Sequence, residues 1–286
     1  MLIYLVVIAA GATAGFINTL AGSGSLITLP LLIFLGLEAD VANGTNRIGV
    51  LLAAIVAART FQRQGHLRLH GTSWLFVPAI IGSIGGAGLA AVIGEQSMHY
   101  AIAMVMVLML GVILINPQRW LISHSQKEPD HRQLVTVLVF LTVGAYGGFI
   151  QAGVGVFILT ALVLRARYDL ITANALKVSL VLLLTAPAIV VFAACSQVHW
   201  GYGLLMAAGQ IAGAWAGAMF AARHPDARIW IRRLLILVVV ASIVKLFLSP
   251  PFKAGAEFST DPTGAIAPTG PTRPCPTLLP AIVVDS

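Results

Sequence analysis

The sequence is poor in charged residues and in cysteine. Only 9% of its 286 residues are charged, whereas soluble domains carry about 25%. A surface with so little charge is solvated by lipid rather than by water, which excludes a soluble domain. The two cysteines, Cys195 and Cys275, form no CxxC or Cys/His spacing, so no metal site is expected. Because Cys195 ends an apolar run, we expect it to pack there; a Cys195–Cys275 disulfide in an oxidising compartment is the alternative.

Acidic residues and catalytic motifs are absent from the apolar runs. Without an Asp or Glu inside any run, a carboxylate proton relay or sodium site is hard to build. The chain has no HExxH, GxSxG or P-loop motif, so it predicts neither an enzyme nor a bound cofactor. Its net charge of +7 comes from Lys and Arg in short breaks between runs. That placement is typical of membrane loops rather than of nucleic-acid binding.

Hydrophobic residues form 58% of the chain, and its mean hydropathy is +0.93. They lie in the stretches 2–20, 24–36, 44–58, 72–93, 98–116, 134–150, 153–164, 172–194, 201–221 and 230–248. A spanning helix needs about 20 residues, so 24–36 and 153–164 are too short to span well. Each follows a Gly-rich break, which predicts broken or re-entrant half-helices. The 44–58 run is expected to extend by a turn at each end.

The pattern of long and short runs occurs twice. Gly15-Phe16-Ile17-Asn18 resembles Gly148-Phe149-Ile150-Gln151, and Ala21-Gly22-Ser23-Gly24-Ser25 resembles Ala152-Gly153-Val154-Gly155-Val156. The sequence therefore predicts an all-α polytopic membrane protein built from two repeats, about 11–116 and 144–248. Together they form a membrane domain at 1–248. The Pro-, Gly- and Thr-rich remainder, 249–286, is expected to be a disordered tail.

The distribution of basic residues favours an inverted second repeat. If each repeat crosses the membrane an odd number of times, the breaks at 59–70, 117–133, 165–169 and 222–233 share one face with twelve Lys or Arg residues. The opposite face then carries none, only Glu38, Asp40 and Glu95. An even number would divide the basic residues about equally. The positive-inside rule favours inversion and places the Arg-rich loops in the cytoplasm and both termini outside.

Two cations depart from the loop pattern. Arg47 and Lys177 each lie near the start of an apolar run, at matching places in the two repeats. A cation within the membrane is costly unless it faces a wet cavity or a partner. Snorkelling to the headgroups would explain either residue alone. Their pairing indicates a shared functional role.

The Gly-rich breaks strengthen the hypothesis of an anion site. Half-helices that begin at such breaks leave backbone N–H groups without helical partners, and these groups bind anions. Packing of glycines against neighbouring helices is the alternative. The predicted substrate-binding residues are Asn18, Gly22, Ser23, Gly24, Ser25, Asn46, Arg47, Gln151, Gly153, Gly155 and Lys177. Capping of the following helices is expected of Asn43 and Asn174.

These motifs resemble those of the sulfite exporter TauE/SafE family of membrane permeases. The resemblance rests on Gly11 to Asn18, Ala21 to Ser25, Pro30, Ala42 to Asn46 and the second-half echo at Gly144 to Gly155. It covers about 2–248. The family often has a further Gly where this chain has Ser25, and the second repeat has Val there, which leaves the substrate open.

The resemblance implies transport of sulfite, thiosulfate or a sulfonate across a bacterial inner membrane. Taken together, the residues and the resemblance predict an alternating-access carrier for a small anion, in contact with the lipid bilayer. An anion channel and a membrane scaffold or sensor subunit without flux are the alternatives. A homo-oligomer is compatible with the sequence.

Overall fold

The computed structural model describes residues 2–67, 73–115, 133–166, 168 and 170–221, together with positions 236, 240, 243 and 244. The described residues fold into helices: α1 (Leu2–Ala21), α2 (Ser25–Phe34), α3 (Ala39–Arg63), α4 (Ser73–Val92), α5 (Glu95–Ile115), α6 (Gln133–Phe149), α7 (Val154–Thr160), α8 (Leu170–Ala194) and α9 (Trp200–Ala221). A π-helical turn at Ala161–Arg165 extends α7. The predicted tail at 249–286 and all but four residues of the 230–248 run lie outside the described residues.

Long apolar helices dominate this part of the chain. Within the described residues, six helices are long and apolar enough to cross a membrane: Ile3–Ala21, Ala39–Arg63, Trp74–Val92, Glu95–Leu114, Thr172–Ala194 and Trp200–Phe220. Lipid-facing side chains explain why many large apolar residues on these helices are exposed, among them Met104 and Val190. The prediction of an all-helical, multi-pass membrane protein is confirmed.

The two Gly-rich breaks interrupt the helices as the sequence indicates. α1 stops at Ala21 and α2 starts at Ser25, whereas α6 stops at Phe149 and α7 starts at Val154. One glycine in each break adopts the left-handed conformation, with φ of +75° at Gly22 and +72° at Gly153. Glycine enters this region without a steric penalty, so these two residues permit each break.

The expected caps at Asn43 and Asn174 are wrong. α3 begins at Ala39 with Glu38 at its N-cap, and α8 begins at Leu170, so both amides lie inside helices. The error arises because the first turn of each helix is polar or mixed, and the apolar run starts after the helix does. The same earlier start places Arg47 in the third turn of α3 rather than at its edge.

Gln197 connects the ends of helices on the face that lacks Lys and Arg. Its side-chain amide donates hydrogen bonds of 3.0 Å to the Asp40 carboxylate and to the Ala91 carbonyl. Burial, and then the charge of Asp40, raise the pKa of Glu38 in the same region. Cys195 is buried, as expected, and it is also disulfide-bonded, which was not expected.

Glycines set the helix pairing. α1 packs along α9, and α4 packs along α6. A Cβ atom added at Gly15 would lie 2.2 Å from the Gln210 carbonyl oxygen, and one at Gly148 would lie 2.0 Å from that of Ser83. Backbones this close depend on small residues, as expected where lipid provides no hydrophobic drive between helices. α3 and α8 contact each other and are the most buried of the six long helices.

We expect Gly86→Ala to destabilise the protein and Gly85→Ala to be neutral or slightly stabilising. A Cβ at Gly86 would lie 1.9 Å from the Ala145 carbonyl oxygen, whereas Gly85 has nothing within 4 Å. Forcing α4 and α6 apart costs about 1–3 kcal/mol, while Ala in an open helical position gains roughly 0.5–1 kcal/mol over Gly. Thermal unfolding in detergent measures both. Equal melting temperatures would contradict the tight α4–α6 contact.

Candidate functional site

The two helix breaks lie against each other. The Gly155 N–H donates a 3.1 Å hydrogen bond to the Gly22 carbonyl. A Cβ atom at Gly155 would lie 2.4 Å from the Gly22 Cα, and one at Gly22 would lie 2.5 Å from Gly155. The contact is therefore made by main chain alone, and neither glycine has room for a side chain.

Several donors in the first break have no partner. The N–H groups of Ser23 and Gly24 donate to no acceptor in the described part of the chain. The Ser23 hydroxyl is buried and likewise unpartnered. Successive N–H groups beside a left-handed residue such as Gly22 form a concavity that binds anions. Two amides and a hydroxyl are thus available at the start of α2.

The second break differs from the first in its hydrogen bonds and side chains. Its N–H groups at Val154, Gly155 and Val156 all donate to backbone carbonyls, those of Gln151, Gly22 and Gly153. Gly153 packs against the Met109 sulfur, which a Cβ at that position would approach to 2.2 Å. The N–H groups of Gln151, Ala152 and Gly153 donate to no acceptor in the described part of the chain, so both breaks keep free N–H donors. The serines lie in the first break alone.

Lys177, on α8, reaches across to the end of α1. Its Nζ donates to the carbonyls of Thr19 at 2.8 Å and Asn18 at 3.4 Å, and to Asn174 Oδ1 at 2.6 Å. These bonds place a positive charge at the negative end of the α1 dipole. Asn174, expected as a cap for α8, holds the ammonium group instead.

Arg47, on α3, makes the matching contact with the end of α6. Its guanidinium donates to the carbonyls of Gly147 at 3.0 Å, Gly148 at 2.6 Å and Phe149 at 3.3 Å. Asn43, one turn earlier, donates to the Phe149 carbonyl at 2.8 Å. The cation also lies over the Phe192 ring, 4.7 Å from its centroid.

Both cations are enclosed by protein, which rules out snorkelling. Arg47 and Lys177 are 0% and 1% exposed. Among the described residues, neither cation has a carboxylate partner, and the Arg47 Nε has no acceptor at all. Helix carbonyls carry only partial charge, so the two buried positive charges are incompletely compensated. An anion bound nearby would supply the missing charge.

A small cavity adjoins Lys177. It is lined by Asn18, Thr19, Lys177 and apolar residues of α3 and α8, and its volume is about 10 Å³. That volume accommodates about one water molecule. Asn18 connects the cavity to the first break, because a Cβ at Gly24 would lie 2.7 Å from the Asn18 Cβ.

The remaining predicted polar residues tie helices together. Asn46 donates to Ser25 Oγ at 3.1 Å and accepts from Thr28 Oγ1 at 2.5 Å, which fixes α3 to α2. Gln151 donates to Thr185 Oγ1, while its buried Oε1 has no partner. Within the ranges that the structure describes, no three His, Cys, Asp or Glu side chains are grouped to hold a metal ion.

Gln210 joins this set, although sequence reasoning did not select it. It is 1% exposed, and its Nε2 is unpartnered. A Cβ at Gly49, two residues beyond Arg47, would lie 2.6 Å from that nitrogen. The sequence shows this residue as an amide inside the 201–221 apolar run. Its position beside Gly49 of α3 depends on tertiary packing, which the sequence pattern does not give.

Known proteins resemble this chain over most of its length. Residues 7–246 match the family model described as sulfite exporter TauE/SafE. The probable membrane transporter protein ORF9 of Sinorhizobium sp is 28% identical over 83% of this chain and 89% of that protein. A probable membrane transporter protein of Haemophilus influenzae is 30% identical over 73% of this chain and 81% of that protein. The probable membrane transporter protein YfcA of Escherichia coli K12 is 26% identical over 72% of this chain and 76% of that protein.

No solved structure matches this chain. The family match nevertheless extends from the second turn of α1 past the end of α9 and includes both helix breaks and both buried cations. The chain therefore belongs to the sulfite exporter TauE/SafE family of membrane transporters.

Proposed function

We propose that this protein is an alternating-access carrier for a small anion, with sulfite, thiosulfate or an organosulfonate as the substrate. The observation that carries the proposal is the pair of buried cations, Arg47 and Lys177, which lack carboxylate partners among the described residues. Close to Lys177, the first break offers unpartnered donors at Ser23 and Gly24. Cations and free N–H groups together favour an oxyanion over a cation or a neutral solute.

We propose three roles for the predicted residues: binding the anion, holding α2 in place and allowing close approach of the backbone. Ser23, Gly24 and Lys177 would bind the anion directly, with Asn18 beside them in the cavity. Asn46 and Ser25, already bonded to each other, would hold α2 in place. Gly22, Gly153 and Gly155 would allow close approach of the backbone, while Arg47 and Gln151 would contribute positive potential and an orienting amide from the other half.

Reciprocal contacts support the proposal of two inverted repeats, about 11–116 and 144–248. Arg47 of the first half binds the end of α6, and Lys177 of the second half binds the end of α1. Likewise α1 packs on α9 of the second half, and α6 packs on α4 of the first. Such exchange is what a two-fold relation between the halves would produce.

The size of the cavity favours a carrier over a channel. Room for about one water beside Lys177 does not admit a polyatomic anion. A substrate would enter only when the halves move apart at the Gly22–Gly155 contact, which couples binding to a conformational change. A channel would need a continuous path.

Purified protein in liposomes should show saturable uptake of labelled sulfite, thiosulfate or a small sulfonate. Unlabelled anion on the opposite side should accelerate uptake of the label, because a carrier returns faster when loaded. Flux that is linear in concentration and insensitive to counterflow would indicate an anion channel. Absence of flux for all small anions tested would favour a scaffold or sensor and overturn the proposal.

Lys177→Met should raise the apparent KM for the transported anion about tenfold or more, since a charge-assisted hydrogen bond contributes roughly 1.5–3 kcal/mol. Lys127→Met, the same substitution in the 117–133 break, should leave KM unchanged. Uptake in liposomes measures the constants, and thermal unfolding checks that both variants are folded.

Ser23→Ala separates binding from folding at the same site. The Ser23 hydroxyl has no partner, so its removal should leave the melting temperature unchanged or slightly raised. Anion affinity should nevertheless fall. Unaltered KM in both Lys177→Met and Ser23→Ala would remove this end of α2 from the site.

The proposal includes an orientation in a bacterial inner membrane. The Arg-rich loops would lie on the cytoplasmic side, and both termini would lie outside. In a cysteine-free background, single cysteines at positions 63 and 228 should both resist an impermeant thiol reagent in intact cells and react after lysis. Reaction of just one in intact cells would contradict the inversion.

A further inference from the structure

A second, larger cavity lies between the ends of α3 and α9. It has a volume of about 300 Å³, and its lining includes Arg59, Thr60, Arg63, Gln64, Trp215 and Met219. It shares no lining residue with the cavity beside Lys177. It therefore belongs to a different part of the surface from the proposed transport site.

The polar side of this cavity is positively charged. Arg59 and Arg63 are four residues apart on α3, so their side chains lie on the same face of the helix. Among the residues that the structure describes, the lining contains no Asp or Glu. Gln64 donates to the Met219 sulfur at 3.7 Å, and its buried Oε1 has no partner. Two guanidinium groups without an acid between them suit a phosphate group, which Arg binds through paired N–H donors.

The apolar side of the cavity faces the lipid. Trp215 is 56% exposed on α9, a helix long and apolar enough to span the membrane. It lies six residues before the end of α9 at Ala221, and Arg59 lies four before the end of α3 at Arg63. A tryptophan at this distance from a helix end is typical of the headgroup region of a bilayer.

We propose that this cavity binds an anionic phospholipid, with its phosphodiester on Arg59 and Arg63 and an acyl chain along Trp215 and Met219. A free phosphate would use the two arginines but gain nothing from the exposed tryptophan. Basic pockets between membrane helices bind lipid headgroups in this way. The site is independent of the proposed transport function.

Native mass spectrometry of detergent-solubilised protein with equal amounts of phosphatidylglycerol and phosphatidylethanolamine tests the proposal. The wild type should retain phosphatidylglycerol with at least roughly tenfold preference, since each Arg near an anionic headgroup contributes to binding. Arg59→Gln/Arg63→Gln should reduce the preference to about one. Arg119→Gln/Arg132→Gln, an equal charge loss in the 117–133 break outside the described residues, should retain it.

A second measurement needs only the wild type. Phosphatidylglycerol with a photoreactive group in its acyl chain should cross-link to the peptide containing Trp215 and Met219, and unlabelled phosphatidylglycerol should compete. Displacement by inorganic phosphate alone would show that a free anion occupies the site and would overturn the proposal. Equal retention of both lipids, unchanged preference in Arg59→Gln/Arg63→Gln, or cross-links confined to other helices would overturn it as well.

Discussion

The described part of the structure depends on positive charges held against the ends of interrupted helices. α1 and α6 stop inside the protein, where the carbonyls of their last turn extend beyond the regular helical hydrogen bonds. Lys177 and Arg47 supply the donors, each from a helix in the other half of the chain. Removing Lys177 would leave the Thr19 carbonyl unbonded, and removing Arg47 would leave those of Gly147 and Gly148 unbonded, a cost of about 1–3 kcal/mol for each group. The breaks can exist because these residues stabilise them.

The same arrangement connects stability to function. A cation paired with a carboxylate would be neutralised and would attract an anionic ligand only weakly. Carbonyls satisfy the hydrogen bonds of Lys177 but compensate its charge incompletely, so the site keeps a net positive potential. The unpartnered donors at Ser23 and Gly24 follow directly after the end of α1 that Lys177 contacts. In the carrier that we propose, the same residues would hold the helix ends and prepare the anion site.

Sequence reasoning predicted what depends on local pattern. The helix runs follow from hydropathy, the breaks from Gly22 and Gly153, and the special status of Arg47 and Lys177 from charge in apolar surroundings. It failed where a helix begins in polar sequence, as at Asn43 and Asn174. It also gave no partner for either cation, because the carbonyls that they bind lie 100 or more residues away. Gln210 was missed for the same reason, since its position beside Gly49 depends on how α9 packs on α3.

The contact between Gly22 and Gly155 has a mechanical consequence. Side-chain interfaces resist separation because interlocked rotamers must be released and then found again. Two bare backbones joined by one N–H···O bond have no such barrier, and breaking that bond costs about 0.5–1.5 kcal/mol net. Such a backbone contact can open and re-form repeatedly between the same two residues. Its rate would be limited by rigid-body movement of the helices rather than by repacking of a core.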